Sequence, residues 1–446
     1  MPAVLDNSDS VVTIPSPTLD MALSAARQRF SARLSTSAAI HRQAVEVMPG
    51  GNTRTVLHHE PFPIVMTGGK GASLLDADGN TYVDFLGEYS AGIYGHSNPQ
   101  IRDAIVGALD KGLGLSAHND LEPQLARLIV DRIPSIELVR FTNSGTEANL
   151  LALSLARAAT GRSTVIAFRG AYHGSILTFV SEGAPLNAPY RFVVGRFNDE
   201  FGAAALIEAH RDELAAVVVE PMLGAGGCIP GDLSFLRAIE NGCRRAGALF
   251  ILDEVMTSRL SGAGRQGQLE LRPDLTTLGK YIGGGSSFGA FGGRRDLMAA
   301  FDPRYAGGLA HAGTFNNNVI TMAAAIAGLS RLYTPAAAER LNMQGDQLRS
   351  ALNATCFHAR VPMRFTGLGS LMNAHGTDRP IARFEDLAVA DRRIVDLLFL
   401  HLLECGYYIA PRGFVTLHLE IDEHHTAGLI EAVSLFCERY GSALRS

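Results

Sequence analysis

Lys280 lies in the run Thr-Leu-Gly-Lys-Tyr-Ile-Gly-Gly-Gly, Thr277 to Gly285, and Asp253 closes the run Ala-Leu-Phe-Ile-Leu-Asp. A lysine amine that can condense with a carbonyl, paired with a carboxylate at the end of an apolar strand, is what a carbonyl cofactor with a basic ring nitrogen requires. Asp253 follows the most apolar run of the chain, so burial is expected, and a buried carboxylate needs a cationic or hydrogen-bonding partner. A protonated pyridine nitrogen meets that need and keeps the ring able to accept electrons from a substrate carbanion. The pair points to pyridoxal phosphate. The bland alternatives are that Asp253 caps a helix beginning near Glu254 and that Lys280 is a solvated loop lysine. The glycines at 279, 283, 284 and 285 favour the chemical reading, because a lysine pointing to water needs no close backbone packing beside it.

Other polar residues also follow apolar runs directly. Phe141 precedes Thr142-Asn143-Ser144-Gly145-Thr146-Glu147-Ala148-Asn149 and then a helical pattern. Ser144, Gly145 and Thr146 would present N–H groups and hydroxyls at a helix start, a ready phosphate site, although a simple cap has the same pattern. Phe168 precedes Arg169-Gly170-Ala171-Tyr172-His173-Gly174, where Tyr172 can stack on a flat heteroaromatic ring or merely close a loop. Glu220, after Val219, is an orienting carboxylate behind the site or a cap to the following loop. The run Gly283 to Gly289 lacks the spacing and the following acid of a dinucleotide fingerprint.

These residues need elements to position them. Runs at 138–141, 165–168, 217–219 and 249–252 alternate with helical segments, which predicts parallel strands with helical crossovers. In such α/β sheets ligands bind beyond the carboxyl ends of the strands. The chain is divided into an N-terminal satellite (1–81), a large cofactor-binding domain (82–332) and a C-terminal small domain (333–446) that packs with the satellite. Residues 1 to about 20 are polar and Pro-containing and are expected to be loosely attached. A helical pattern runs from Leu23 to Val47 and stops at Pro49-Gly50-Gly51; short strands follow at 64–66 and 73–75. Two long helical patterns and a strand at 415–419 are expected after Pro335.

The 446 residues suffice for one large subunit, and a net charge of −5 offers no basic field for nucleic acid or anionic membrane. No apolar stretch is long enough to span a membrane. The five cysteines, an odd number without short paired spacing, suggest neither disulfides nor a metal site. With no secretion signal at the N-terminus, a cytoplasmic setting is expected.

Taken together, Met48-Pro49-Gly50-Gly51, Asn143 to Asn149, Tyr172-His173-Gly174, Asp253 to Thr257, Thr277 to Gly285 and Ala312-Gly313-Thr314-Phe315 resemble, in family order, the class III pyridoxal-phosphate aminotransferases of fold type I. The branch is that of glutamate-1-semialdehyde aminomutase, and the likeness runs from about Met48 to the C-terminus. It implies a large domain with a mostly parallel seven-stranded sheet plus a smaller α+β domain built from both termini. It also implies roles. Lys280 is the cofactor-bearing lysine and proton shuttle, Asp253 the partner of the ring nitrogen, and Ser144, Gly145 and Thr146 the phosphate cup. Tyr172 stacks on the ring, Val255 packs on its other face, and Glu220 belongs to the cofactor surroundings. Thr314 would reach the phosphate of a neighbouring subunit's cofactor, implying a homodimer.

Departures from the family pattern narrow the substrate. Where many members carry Gln-Gly-Glu, with a Glu that holds a mobile arginine, this chain has Leu223-Gly224-Ala225. Near the N-terminus it has Gly50-Gly51-Asn52-Thr53-Arg54-Thr55-Val56-Leu57, and in the C-terminal lobe Ala410-Pro411-Arg412-Gly413-Phe414. Both changes resemble β-amino-acid aminotransferases, especially those acting on β-phenylalanine. The resemblance assigns Arg54 to the β-amino acid's carboxylate and to the distal carboxylate of 2-oxoglutarate, and Arg412 to the latter's α-carboxylate. A guanidinium fork suits such carboxylates, though either arginine could be a surface ion pair. Tyr89, Val56 and Met256 would be apolar walls. The implied activity is ping-pong transfer from an amino donor to a keto acid, 2-oxoglutarate or pyruvate. The rivals are the aminomutase, another ω-aminotransferase, an epimerase or decarboxylase, and a cofactor-binding regulator.

Overall fold

A computed structural model describes residues 18–181 and 184–445. The expectation for the extreme N-terminus falls largely outside them.

The apolar runs form a seven-stranded sheet: β1 Leu138–Thr142, β2 Thr164–Phe168, β3 Arg191–Gly195, β4 Leu214–Val219, β5 Leu249–Asp253, β6 Leu275–Gly279 and β7 Gly289–Gly293. Their spatial order is β1-β7-β6-β5-β4-β2-β3. Only β7 runs against its neighbours, pairing antiparallel with both β6 and β1. The two reversals cancel, so β1 points the same way as β2, β4, β5 and β6. The residues following these strands therefore gather along one edge. β2, β4 and β5 are buried throughout, as strands covered on both faces must be. Helices Gly145–Thr160 and Leu233–Ala246 provide cover, each ending at a left-handed glycine, Gly161 and Gly247.

The chain termini build a second body. Strands Met66–Lys70, Ser73–Asp76 and Thr81–Asp84 form a sheet whose last neighbour is Tyr407–Tyr408, parallel to Val83 and Asp84. The boundary expected at residue 82 therefore runs through the strand Thr81–Asp84. The helical pattern expected from Leu23 to Val47 is two helices, Leu19–Arg33 and Ser35–Val47, broken at Leu34, whose non-helical backbone (φ −117°, ψ 51°) interrupts them. After Pro335 there are three helices, Pro335–His358, Arg392–Glu404 and Glu423–Leu444, where two were expected. The strand expected at 415–419 is the shorter Phe414–Thr416. Among the described residues no single helix is long and apolar enough to cross a membrane.

A small cluster joins the two bodies beside the strand edge. Leu86, Tyr89, Met222, Cys228, Leu260, Leu371, Ala410 and Phe414 pack together, with Met256 partly buried against them.

Candidate active site

Asp253 ends β5 at 4% exposure, where an isolated carboxylate would be costly. Its Oδ2 accepts from His173 Nδ1 at 2.7 Å and from Asn149 Nδ2 at 2.9 Å. Its Oδ1 accepts the Val255 N–H at 2.9 Å, so the local turn expected of an Asp there is present as well. Thr277, on β6, donates to Asn149 Oδ1 at 2.9 Å and so fixes which end of the amide faces Asp253. Burial opposes a charged His173 ring, but the hydrogen bond and charge of Asp253 together outweigh it and hold the imidazole pKa above its usual value. His173 Nε2 is buried without a hydrogen-bond partner.

Lys280 follows β6 with a left-handed φ of 52°. Its Nζ donates to the Tyr89 carbonyl at 2.8 Å. Burial, and then the charge of Arg412, bring its pKa down to about 8. The amine is thus kept close to its nucleophilic, neutral form.

Helix Gly145–Thr160 starts at the end of β1, with Ser144 accepting the Glu147 N–H at 3.2 Å. The Ser144 oxygen is a cap; its own hydrogen and the first-turn N–H groups of Gly145 and Thr146 are what this turn offers an anion. Space there is tight. A Cβ on Gly145 would lie 2.9 Å from Val255 Cγ2, and one on Gly174 would lie 2.4 Å from Thr146 Oγ1. Val255 is thereby wedged between the Ser144–Thr146 turn and β6, since a Cβ on Gly279 would meet its other methyl at 3.1 Å. Tyr172 is anchored through its N–H to Glu220 Oε2 at 2.9 Å, and its side chain remains 44% exposed. The other Glu220 oxygen accepts the Gly224 N–H at 2.9 Å. Glu220 thus ties the Tyr172 loop to the 220–225 turn, and burial pushes its pKa up to about 7. A buried amine, a buried carboxylate with lone pairs to spare, an unpartnered imidazole nitrogen and a helix start with free donors fit pyridoxal phosphate.

Tyr89 gathers the residues around the Lys280 amine. Its carbonyl holds Lys280, its hydroxyl donates to the Val56 carbonyl at 3.0 Å, and its ring is stacked 5.9 Å from Phe414. The guanidiniums of Arg54 and Arg412 lie 5.5 and 5.6 Å from that same ring. Arg412 donates through Nη1 to the Ala225 carbonyl at 2.7 Å, and its buried Nε has no partner. Arg54 is paired with Glu88. Val56 is exposed at 41%, and its backbone carbonyl accepts the Tyr89 hydroxyl. Met256 would touch any Cβ at Gly224, at 2.6 Å. Gly87, Glu88, Tyr89 and Ser90 all have positive φ, of 50°, 49°, 51° and 75°. Backbone of this kind is unfavourable for non-glycine residues and concentrates at functional sites. Asp84 secures the turn by accepting the N–H groups of Leu86 and Gly87, at 2.8 and 3.0 Å.

Thr314 lies apart from this cluster, on an exposed segment that also carries Phe315 at 67% exposure. A cavity of about 500 Å³ opens beside it, lined by His118, Arg140, Phe141, His311 and Gly313 among others.

Sequence reading missed Asn149, His173 as Asp253's partner, Thr277, Glu88 and Asp84. Asn149 carried a signal, as a polar residue between Ala148 and Ala152 on an apolar helix face must find a partner. The left-handed turn at 87–90 carried none beyond a single glycine.

The family model "Aminotransferase class-III" matches residues 56–413. A beta-phenylalanine transaminase of Variovorax paradoxus is 51% identical over 426 residues, 96% of this chain and 98% of the relative. A crystal structure of a beta-phenylalanine aminotransferase from that organism superposes with a TM-score of 0.94, at 51% identity, covering 96% of this chain and 99% of the other. An uncharacterized aminotransferase of Schizosaccharomyces pombe is 45% identical over 430 residues, 96% and 98% of the two chains. An omega-transaminase structure from Sphaerobacter thermophilus superposes with a TM-score of 0.85 at 36% identity, covering 90% and 97%.

Proposed function

Because the chain belongs to the class III aminotransferases, pyridoxal-phosphate-dependent enzymes, we propose that it moves the amino group of an aromatic β-amino acid such as β-phenylalanine to 2-oxoglutarate or pyruvate. One observation carries the substrate reading: two guanidiniums, Arg54 and Arg412, share the ring of Tyr89, whose carbonyl holds the Lys280 amine. An aminotransferase must accept two unlike acids in one pocket. The carboxylate of a β-amino acid sits one carbon further from the amine than that of an α-amino acid, about 1.5 Å along the chain. Two forks beside one ring can read both positions.

When bound, pyridoxal phosphate supplies an aldehyde for exchange with amines and a ring that takes up an electron pair. Lys280 would hold its aldehyde, Asp253 its ring nitrogen, and Ser144, Gly145 and Thr146 its phosphate. Tyr172 and Val255 would enclose the ring, with Glu220 fixing Tyr172 from behind. His173 and Asn149 keep the Asp253 carboxylate oriented. The Lys280 amine, with a pKa near 8, takes the proton from the amine-bearing carbon of the donor and returns it on the other side of the exchange. Arg54 binds the donor carboxylate and the distal carboxylate of 2-oxoglutarate; Arg412 binds the α-carboxylate of the acceptor. Tyr89, Val56 and Met256 border the space for the aryl group.

The same reading makes the enzyme a cytoplasmic homodimer in which Thr314 completes the neighbour's phosphate site. The exposed Phe315 and the adjoining cavity support a partner there, and the five free cysteines suit a reducing compartment. The test is to incubate the purified holoenzyme with β-phenylalanine and 2-oxoglutarate. Glutamate should form at a rate set by both substrates in ping-pong fashion. No glutamate from that pair, with isomerisation of glutamate-1-semialdehyde instead, would replace this reading with the aminomutase one.

A further inference from the structure

The two guanidiniums beside Tyr89 are not equivalent. Arg412 donates to a backbone carbonyl, that of Ala225, lies over the rings of Tyr89 and Phe414, and keeps a buried Nε without a partner. Among the described residues no acid pairs with it. Arg54 already has an acid, for its Nη1 is paired with Glu88 Oε1, and the two side chains are 43% and 59% exposed. Glu88 is not there by accident of a floppy loop. It belongs to the run of left-handed residues 87–90, and Asp84 fixes that run through the N–H groups of Leu86 and Gly87. A carboxylate held at conformational cost against a carboxylate-binding arginine competes with the substrate.

Resting on the transaminase reading above, we propose that Glu88 is a resident stand-in for the substrate carboxylate on Arg54. When the bound acid carries one carboxylate and places it on Arg412, Glu88 stays on Arg54 and neutralises it. When the acid carries a second carboxylate, or is the β-amino acid donor whose carboxylate belongs on Arg54, Glu88 yields its place. The exchange is easy because an exposed ion pair contributes at most about 1 kcal/mol. Glu88 thereby sets the balance between dicarboxylate and monocarboxylate acceptors: its charge weakens the former and spares the latter an unpaired cation beside the Tyr89 ring.

Glu88→Gln removes the charge and keeps the size. In the full-length holoenzyme with one fixed amino donor, the ratio of kcat/KM for 2-oxoglutarate to kcat/KM for pyruvate should rise about two- to fivefold, the factor that an exposed ion pair represents. Isothermal titration with glutarate, a dicarboxylate with no reacting group, should show the dissociation constant falling by a similar factor. In an Arg54→Gln background the same Glu88→Gln change should have no effect on either measurement. Glu88→Gly suits the positive φ and removes the same charge, so it must reproduce the shift if the glutamine disturbs the turn. A ratio and a glutarate affinity unchanged from wild type in both variants overturn the proposal. Should the wild-type enzyme use neither acceptor, the substrate reading fails, and the glutarate titration still decides the role of Glu88.

Discussion

Lys280 and Arg412 are two cations in one pocket, and the charge of Arg412 is, after burial, the main reason the lysine releases its proton early. The sign of the resulting pH dependence follows from linkage. Between about 8 and the ordinary 10.5, the unfolded chain holds the lysine proton and the folded protein does not. Stability of the cofactor-free protein attributable to this group therefore rises as pH climbs through that window, and is lowest below it. Lys280→Met should flatten that rise, which thermal unfolding of cofactor-free protein from pH 7 to 10 measures. In the holoenzyme, Lys280→Ala should reduce turnover by about 10³-fold or more, because it removes both nucleophile and base. Arg412→Ala should lower kcat/KM for 2-oxoglutarate by about tenfold or more, the factor for a lost hydrogen bond to a charged group, and affect the β-amino-acid half-reaction less. Single-turnover measurements of each half-reaction separate the two, and equal losses in both would refute the division of roles. Residue types alone made Lys280 and Asp253 legible, since few arrangements explain a carboxylate after so apolar a run. His173 and Asn149 were legible only as neighbours in the chain. That both converge on one Asp253 oxygen depends on the order in which strands lie side by side.

At the scale of elements, β2, β4 and β5 were readable because each carries an uninterrupted apolar run, the mark of a strand covered on both faces, and β1 was readable from three apolar residues around Arg140. β6 hides behind Thr276 and Thr277, which are buried but satisfied, by Ser135 and Gln266 and by Asn149 respectively. β3 is an edge strand whose residues are only partly covered. β7 reads Gly-Ala-Phe-Gly-Gly, a composition that propensity assigns to a loop. Its glycines are there for contact rather than flexibility: a Cβ on Gly289 would lie 2.1 Å from the Ser144 carbonyl oxygen. That carbonyl belongs to the turn offered to the phosphate. Gly289→Ala should therefore cost about 1–3 kcal/mol in stability, as overpacking does, and weaken cofactor binding as well. Denaturant unfolding and a cofactor titration read the two effects, and normal cofactor affinity would uncouple β7 from the site.

On the scale of the whole molecule, the site lies where the edge of the large sheet meets the body built from both chain ends. Tyr89 comes from the stretch after Thr81–Asp84, Arg412 from the C-terminal region, and Lys280 and Asp253 from the sheet. No local pattern could have announced this meeting; only the resemblance to a family did. In the proposed dimer, the exposed segment with Thr314 and Phe315 would extend the same logic beyond one chain. Phe315→Asp should raise the dissociation constant of the proposed dimer by about tenfold or more, as loss of a buried aromatic anchor does, and sedimentation velocity at micromolar protein checks it. The backwards-wound stretch from Gly87 to Ser90 has a further consequence for how such a protein can change. Replacing Glu88 or Ser90 with glycine would relieve the backbone and make the fold more heat-resistant. Directed evolution for thermal endurance alone would thus drift toward glycine there and, through position 88, tilt the balance of acceptors toward dicarboxylates, whereas selection on both traits would hold Glu88 fixed.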